Sequence, residues 1–83
     1  MTDTTPADSP VGGLAHAVRR RRVALGLRQE EVADLAGCSE RFVYSLEQGK
    51  STAQLGKTLD VLRVLGLGLA VVPGAGTITE VGA

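Results

Sequence analysis

The sequence contains one cysteine, one histidine and no long apolar run, and these shortages exclude several classes of protein. Because Cys38 is the lone cysteine, the chain can form neither an internal disulfide nor a cysteine-based zinc cluster. The apolar run at 65–72 is far too short to cross a bilayer as a helix. The first ten residues are polar and lack an apolar segment after a basic start, so we expect no secretory signal peptide. These features together favour a cytoplasmic protein without a membrane partner.

Side chains with catalytic or metal-binding chemistry are scarce as well. His16 has no cysteine, histidine or carboxylate at ligand spacing, which argues against a metal site. No set of serine, histidine and aspartate, no phosphate-binding loop and no suitably placed pair of carboxylates can be recognised. We interpret Cys38 as a packing residue in a turn. We therefore predict a protein that is not an enzyme and has no cofactor.

Charge is balanced over the whole chain but not along it. Nine Lys and Arg residues and six Asp and Glu residues lie between residues 13 and 65, whereas the ends are acidic. The central region therefore carries a net charge of +3. A basic body with acidic ends is compatible with binding to nucleic acid, although this pattern alone does not establish it.

Apolar spacing and glycines at helix ends predict four short helices, which together form one domain at residues 10–66. The first helix carries Leu14, Val18 and Leu25 on one face. The two glycines near its start move its ordered beginning towards Leu14. The expected ranges of the first three helices are 10–25, 29–36 and 40–48.

The fourth helix is predicted between a cap at Thr52 and a terminating glycine at Gly66. Its leucines recur at helical spacing, which predicts that they form the stripe packed against the other helices. These leucines are Leu55, Leu59, Leu62 and Leu65.

After the fourth helix, the period of the sequence changes from helical to alternating. Leu67, Leu69 and Val71 occupy every second position and Pro73 ends the run, which predicts one strand over 67–73. A lone strand has no partner within this chain, whereas two copies can pair antiparallel across a homodimer. Such pairing also enlarges the core of a chain of only 83 residues, which is small for independent stability.

Both ends of the chain are predicted to lie outside the folded domain. Residues 1–9 are rich in Thr, Asp and Pro and are expected to be disordered. Residues 74–83 are rich in glycine and are expected to form a flexible tail. Within that tail, the stretch TITEV at 77–81 is alternatively an extra strand or a docking segment.

The stretch EEVADLAGCSERFVYSLE at 30–47 joins two short helices through a glycine more tightly than packing alone requires. Ala33 is small where the two helices approach, and Gly37 supplies a turn conformation that other residues adopt at a cost. Val43 and Leu46 anchor the second helix inward. This arrangement is typical of a helix-turn-helix, whose second helix enters the DNA major groove. The alternative is a small helical bundle in which the third helix only packs.

The stretch ALGLRQEEVADLAGCSERFVYSLEQGKST resembles the Xre/Cro type of repressor, whose pattern is LGLTQEELA-x-x-AG-x-S-x-x-x-I-x-x-LE-x-GK. The matching residues are Gln29, Ala33, Gly37, Leu46, Glu47, Gly49 and Lys50. The continuation LGKTLDVLRVLGLGLAVVP is similar to HipB-type antitoxins in particular. The resemblance implies an all-α, lambda-repressor-like helix-turn-helix domain of four to five helices. It also implies one C-terminal strand that forms an antiparallel sheet between the subunits of a dimer.

The resemblance to the HipB type implies a function with two parts. Such a protein is a homodimer that binds a palindromic operator on double-stranded DNA and represses its own operon. It also neutralises a HipA-like serine/threonine kinase toxin. Two alternatives stay open: a free-standing Xre-family transcriptional regulator without a toxin partner, and a protein-binding module that has lost its DNA role.

The resemblance also assigns contacts with DNA. Gln29, at the start of the second helix, is implied to contact the DNA backbone, and Lys50 a phosphate. Arg41 is the candidate for a bidentate contact with guanine, and Glu40 is a candidate acceptor from cytosine. The full set of implied DNA contacts is Arg28, Gln29, Ser39, Glu40, Arg41, Tyr44, Ser45 and Lys50.

The run of four arginines at 19–22 is not expected to act as a single phosphate clamp, because a helix spreads consecutive residues around its circumference. In the family pattern, Arg22 matches a position that pairs with the acid corresponding to Glu47. The resemblance therefore implies a partly buried salt bridge between the first and third helices. Arg20 and Arg21 are expected in solvent or beside a partner protein.

Overall fold

The computed structural model describes residues 10–81 and contains four helices within that range. They are α1 (Gly12–Ala24), α2 (Gln29–Ala36), α3 (Glu40–Glu47) and α4 (Leu55–Val64). The all-α class and the helix count predicted from the sequence are confirmed. The described residues contain no strand. A single extended segment has no pairing partner within one chain, so the intersubunit sheet over 67–73 stays a prediction.

The corner between α2 and α3 is made by a glycine and a serine. Gly37 ends α2 with φ 75° and ψ 32°, in the left-handed region that other residues adopt at a cost. Ser39 then caps α3, because its Oγ accepts a hydrogen bond from the Phe42 N–H at 3.0 Å. The predicted turn and the predicted cap are both confirmed.

The core lies where the helices meet, with α2 packed against α3 and α4, and α1 packed against α3. Val43 and Leu46 are buried, which confirms that one face of α3 points inward. The largest fully buried side chains come from all four helices and from the residue that follows α4. They are Val18, Val32, Val43, Leu46, Val61, Leu62 and Leu65.

The predicted inward stripe of α4 was wrong in its first half. Leu55 is 63% exposed and Leu59 is 38% exposed, whereas Thr58 and Val61 are buried. The cap prediction was wrong as well, because the helix starts later than expected: Gln54, not Thr52, precedes its first residue. The buried face of α4 is formed by Thr58, Val61, Leu62 and Leu65, and Leu55 and Leu59 lie to one side of that face at about 100° per residue.

The ends of α1 also differ from the prediction. Leu25 is the residue that follows α1 and is 45% exposed, so the inward face of α1 is formed by Leu14 and Val18 without it. At the other end, α1 already begins at Gly12 instead of near Leu14. The predicted disordered segment at 1–9 and the last two residues of the predicted tail lie outside the described residues.

We expect Leu62→Ala and Leu55→Ala to differ sharply in thermal and denaturant unfolding. Leu62 is 2% exposed, so its truncation leaves a cavity and should lower the free energy of unfolding by about 2–5 kcal/mol. Leu55 is largely exposed, and its truncation should change the free energy by less than about 0.5 kcal/mol. Equal losses in the two variants would contradict the placement of α4.

Candidate nucleic-acid interface

A buried carboxylate joins the first three helices of the domain. Glu47, the last residue of α3, is 3% exposed, and its two oxygens accept hydrogen bonds from α1 and from α2. Arg22 of α1 donates from Nε to Oε2 at 2.6 Å and from Nη2 to Oε1 at 2.9 Å. Gln29 of α2 donates from Nε2 to Oε1 at 3.1 Å. We call these three residues, Arg22, Gln29 and Glu47, the Glu47 node.

The guanidinium of Arg22 has a second role in the same place. Its Nη1 donates to the carbonyl oxygen of Leu27, in the loop between α1 and α2, at 2.9 Å. The hydrogen bond with Glu47 raises the pKa of Arg22 above its ordinary value, so this cation stays charged at every relevant pH. The structure thus brings together the two residues that the family pattern implied would pair, and it adds Gln29 to them.

The outer face of α3 carries the residues that the resemblance assigned to base contacts. Because Val43, Leu46 and Glu47 are buried, the opposite side of this short helix faces solvent. The outward-facing residues are Ser39, Glu40, Arg41 and Tyr44, which are exposed, and Ser45, which is half-buried. An exposed helix face that carries hydrogen-bonding side chains has the chemistry that direct readout in a major groove requires.

A groove of about 290 Å³ runs beside this face, between α3 and the start of α4. Its charged lining residues are all cations: Arg41, Lys50 and Lys57. The ammonium group of Lys57 lies 5.9 Å from the centre of the Phe42 ring, at cation–π distance. The remaining lining residues are small or polar: Ser39, Ser45, Thr52, Ala53 and Gln54.

Lys57 and Thr52 are groove residues that the sequence analysis did not assign to the site. The family pattern ends at Lys50, and nothing in the linear spacing places the first turns of α4 beside α3. Thr52 was instead predicted as a helix cap. In the structure it lines the groove, and the residue that precedes α4 is Gln54. Only the packing of α4 brings these residues to the site.

Arg28, which the resemblance assigned to DNA, lies beside two carboxylates of α2. Its guanidinium is exposed but lies 3.8 Å from a carboxylate oxygen of Glu30 and 3.4 Å from one of Glu31. Glu31 also accepts a hydrogen bond from the Arg28 backbone N–H at 2.8 Å, as the N3 residue of a capping box does. That backbone hydrogen bond is the main cause that lowers the pKa of Glu31 below its ordinary value. The positive charge of Arg28 is thus partly balanced within α2.

The remaining candidates for chemistry are the Cys38 thiol and possible metal ligands. Cys38 is half-buried and packs against the core, which confirms its interpretation as a packing residue. Burial raises the pKa of its thiol, so the reactive thiolate is disfavoured. Residues 10–81 contain no group of three potential ligands that could hold a metal ion. None of the helices in that range has the length and apolar content needed to span a bilayer.

The family model for the helix-turn-helix domain matches residues 14–73. The chain belongs to the helix-turn-helix family. An uncharacterized HTH-type transcriptional regulator of Sinorhizobium fredii, y4mF, is 46% identical over 67 residues, which span 81% of this chain and 82% of the relative. This helix-turn-helix protein is therefore a transcriptional regulator by family.

Solved structures show where the fold recurs. The HipB-type chain matched in a HipA-HipB-O2-O3 complex superposes with a TM-score of 0.70 over 81% of this chain and 93% of that one, at 24% identity. A chain of a toxin–antitoxin module from Streptococcus pneumoniae superposes with a TM-score of 0.61 at 31% identity, over 72% and 70% of the two chains. The helix-turn-helix family is thus confirmed by the family model and by the relative, and the HipB-like fold is confirmed by the solved structures.

We expect Glu47→Ala to lower the free energy of unfolding by about 3–5 kcal/mol, because the change leaves a poorly solvated guanidinium without its partner. Asp60→Ala is the matched control. Asp60 pairs with Arg63 at 3.1 Å on the surface, and loss of such a pair should cost less than about 1 kcal/mol. Thermal melting of both variants checks the prediction, and a Glu47→Ala protein as stable as the parent would contradict it.

Proposed function

We propose that this helix-turn-helix protein is a homodimeric, sequence-specific DNA-binding repressor and the antitoxin of a HipBA-type toxin–antitoxin system. In this role it autoregulates its operon and neutralises a HipA-like serine/threonine kinase toxin. It acts by binding alone, without catalysis or a cofactor. The observation that carries the DNA-binding part is the exposed polar face of α3, flanked by a groove whose charged residues are all cations.

The outer face of α3 supplies the base contacts in this proposal. Arg41 carries a planar guanidinium that can donate two hydrogen bonds to one guanine edge. Glu40 accepts from cytosine, while Tyr44 packs on a thymine methyl group or reaches a phosphate. The small hydroxyls of Ser39 and Ser45 allow the helix to approach the base edges closely.

Contacts with the DNA backbone come from the groove and from the start of α2. Lys50, in the loop after α3, and Lys57, in the first turn of α4, line the groove and neutralise phosphate charge without reading sequence. On the other side, Gln29 is held in place by its hydrogen bond to Glu47 and contacts the backbone from the first turn of α2. Arg28 contributes less, because Glu30 and Glu31 already balance part of its charge.

The homodimer of this proposal is supported by the segment after α4. Leu67 is half-buried and packs against the core of its own chain, whereas Leu69 is 41% exposed and Val71 is fully exposed. An extended apolar segment with free edges pairs readily with a second copy. Antiparallel pairing over 67–73 would then present two α3 helices about one DNA turn apart, roughly 34 Å, to an inverted repeat.

The antitoxin part is supported by the relatives, two of which come from complexes or modules that contain a toxin or HipA. A free-standing Xre-family regulator is the alternative function. It is supported by the relative from Sinorhizobium fredii, which is described as a transcriptional regulator and nothing more. Two observations distinguish these functions. The antitoxin function requires that a kinase-like reading frame adjoins the gene for this chain, and that the product of that reading frame binds this chain.

We expect the protein to bind DNA from upstream of its own coding sequence and to protect an inverted repeat there in footprinting. The affinity should fall steeply as salt rises, because phosphate contacts release counterions. Absence of a protected repeat would contradict the repressor function. An interaction that is indifferent to salt would instead favour a protein-binding module.

Substitutions distinguish base contacts from phosphate contacts on the DNA upstream of the coding sequence. Arg41→Ala should weaken binding by about 1–3 kcal/mol and relax sequence preference at one position of each half-site. Lys57→Gln should weaken binding to all sequences equally and reduce the salt slope by about 1. Arg63→Gln is the matched control, since Arg63 lies at the far end of α4, paired with Asp60.

The antitoxin role is tested by co-expression with the product of the adjacent gene. We expect the two proteins to purify together and the chain to rescue growth. Arg41→Ala serves as the control, because it weakens DNA recognition and should still rescue growth when the toxin is expressed from a separate promoter. Failure to co-purify, with operator binding intact, would favour the free-standing regulator.

A further inference from the structure

The C-terminal segment of the described chain crosses the beginning of α1. Ile78 is half-buried and packs against the hydrophobic core. Its backbone N–H donates to the carbonyl oxygen of Pro10 at 2.8 Å. Neither contact belongs to the helix-turn-helix or to the cationic groove.

Gly13 provides the space for this crossing. A side chain at Gly13 would overlap the carbonyl oxygen of Ile78 and lie within 2.9 Å of the Thr79 Cα. Gly56, the glycine in the first turn of α4, has nothing within 4 Å of the same position. A glycine inside a helix lowers helix propensity, so Gly13 is explained by the segment that crosses it and not by the helix.

Two arginines of α1 hold the C-terminal segment at both of its ends. Arg21 donates from Nε to the carbonyl oxygen of Leu65 at 2.9 Å, immediately after α4. Arg20 forms an ion pair with Glu80, near the last described residue. Arg20 and Arg21 are both exposed to solvent, as expected, and each of them also binds its own chain.

We propose that residues 77–80, which we call the C-terminal latch, dock on α1 and hold the apolar segment at 67–72 as a loop closed at both ends. The latch has three components: the Ile78 hydrogen bond, the close approach at Gly13 and the Arg20–Glu80 ion pair. The loop between its two attachments projects Val71 into solvent.

The latch presents 67–72 to a second copy of this chain, and this part rests on the proposed homodimer. A free tail loses conformational entropy when it pairs, whereas a loop already tied at both ends has fewer conformations to lose. Release of the latch should therefore weaken dimerisation without removing any residue from the pairing segment.

Gly13→Ala and Gly56→Ala form a matched pair that tests the latch. Both changes raise helix propensity, so both variants should keep the fold. Only Gly13→Ala places a methyl group against Ile78. We expect the Ile78 amide to exchange at least about tenfold faster in Gly13→Ala, and the dimer dissociation constant from sedimentation to rise by about tenfold. Gly56→Ala should change neither quantity.

A charge exchange tests the ion pair by a second route. Glu80→Arg should speed exchange at Ile78, and the double variant Arg20→Glu with Glu80→Arg should restore the slow rate.

Equal exchange rates in the parent and in Gly13→Ala would overturn the latch. Faster exchange with an unchanged dissociation constant would overturn its role in presentation, as would a parent protein that stays monomeric. Loss of DNA binding in the parent would instead count against the proposed function and leave the exchange result intact.

Discussion

The arrangement of the domain depends on one buried carboxylate. Apolar burial is not directional and would allow several relative orientations of such short helices. Glu47 restricts them, because its oxygens accept hydrogen bonds from Arg22 on α1 and from Gln29 on α2. A buried ion pair is tolerated only when its geometry is good and its hydrogen bonds are complete, and both conditions hold here. The Glu47 node therefore sets the direction in which α3 faces.

The two sides of α3 are specified by different kinds of interaction. Its inner side is held by Val43, Leu46 and the Glu47 node, so the outer side does not have to contribute to stability. The outer side is free to carry hydrogen-bonding groups, and the groove beside it gathers cations from α3, the following loop and α4. Local concentration of positive charge matters more for binding DNA than the balanced charge of the whole chain.

The arginine run in α1 shows how one helix can serve several partners. Successive residues on a helix point in directions about 100° apart, so neighbours in sequence face different surroundings. Arg22 binds Glu47, while Arg20 and Arg21 bind the C-terminal segment. A single helix thereby connects the part of the domain that faces DNA in our proposal with the part that faces a second subunit.

Local signals in the sequence determined the features that depend on neighbouring residues. The left-handed turn at Gly37, the cap at Ser39, the four helices and the inward face of α3 were all predicted, because each is encoded within a few residues. The family pattern added the pair Arg22 and Glu47. The start of α4, the groove residue Lys57 and the crossing at Gly13 were decided only by tertiary structure. Each depends on which residues far apart in the chain pack together, and the periodicity of one helix indicates a buried face without specifying what packs against it.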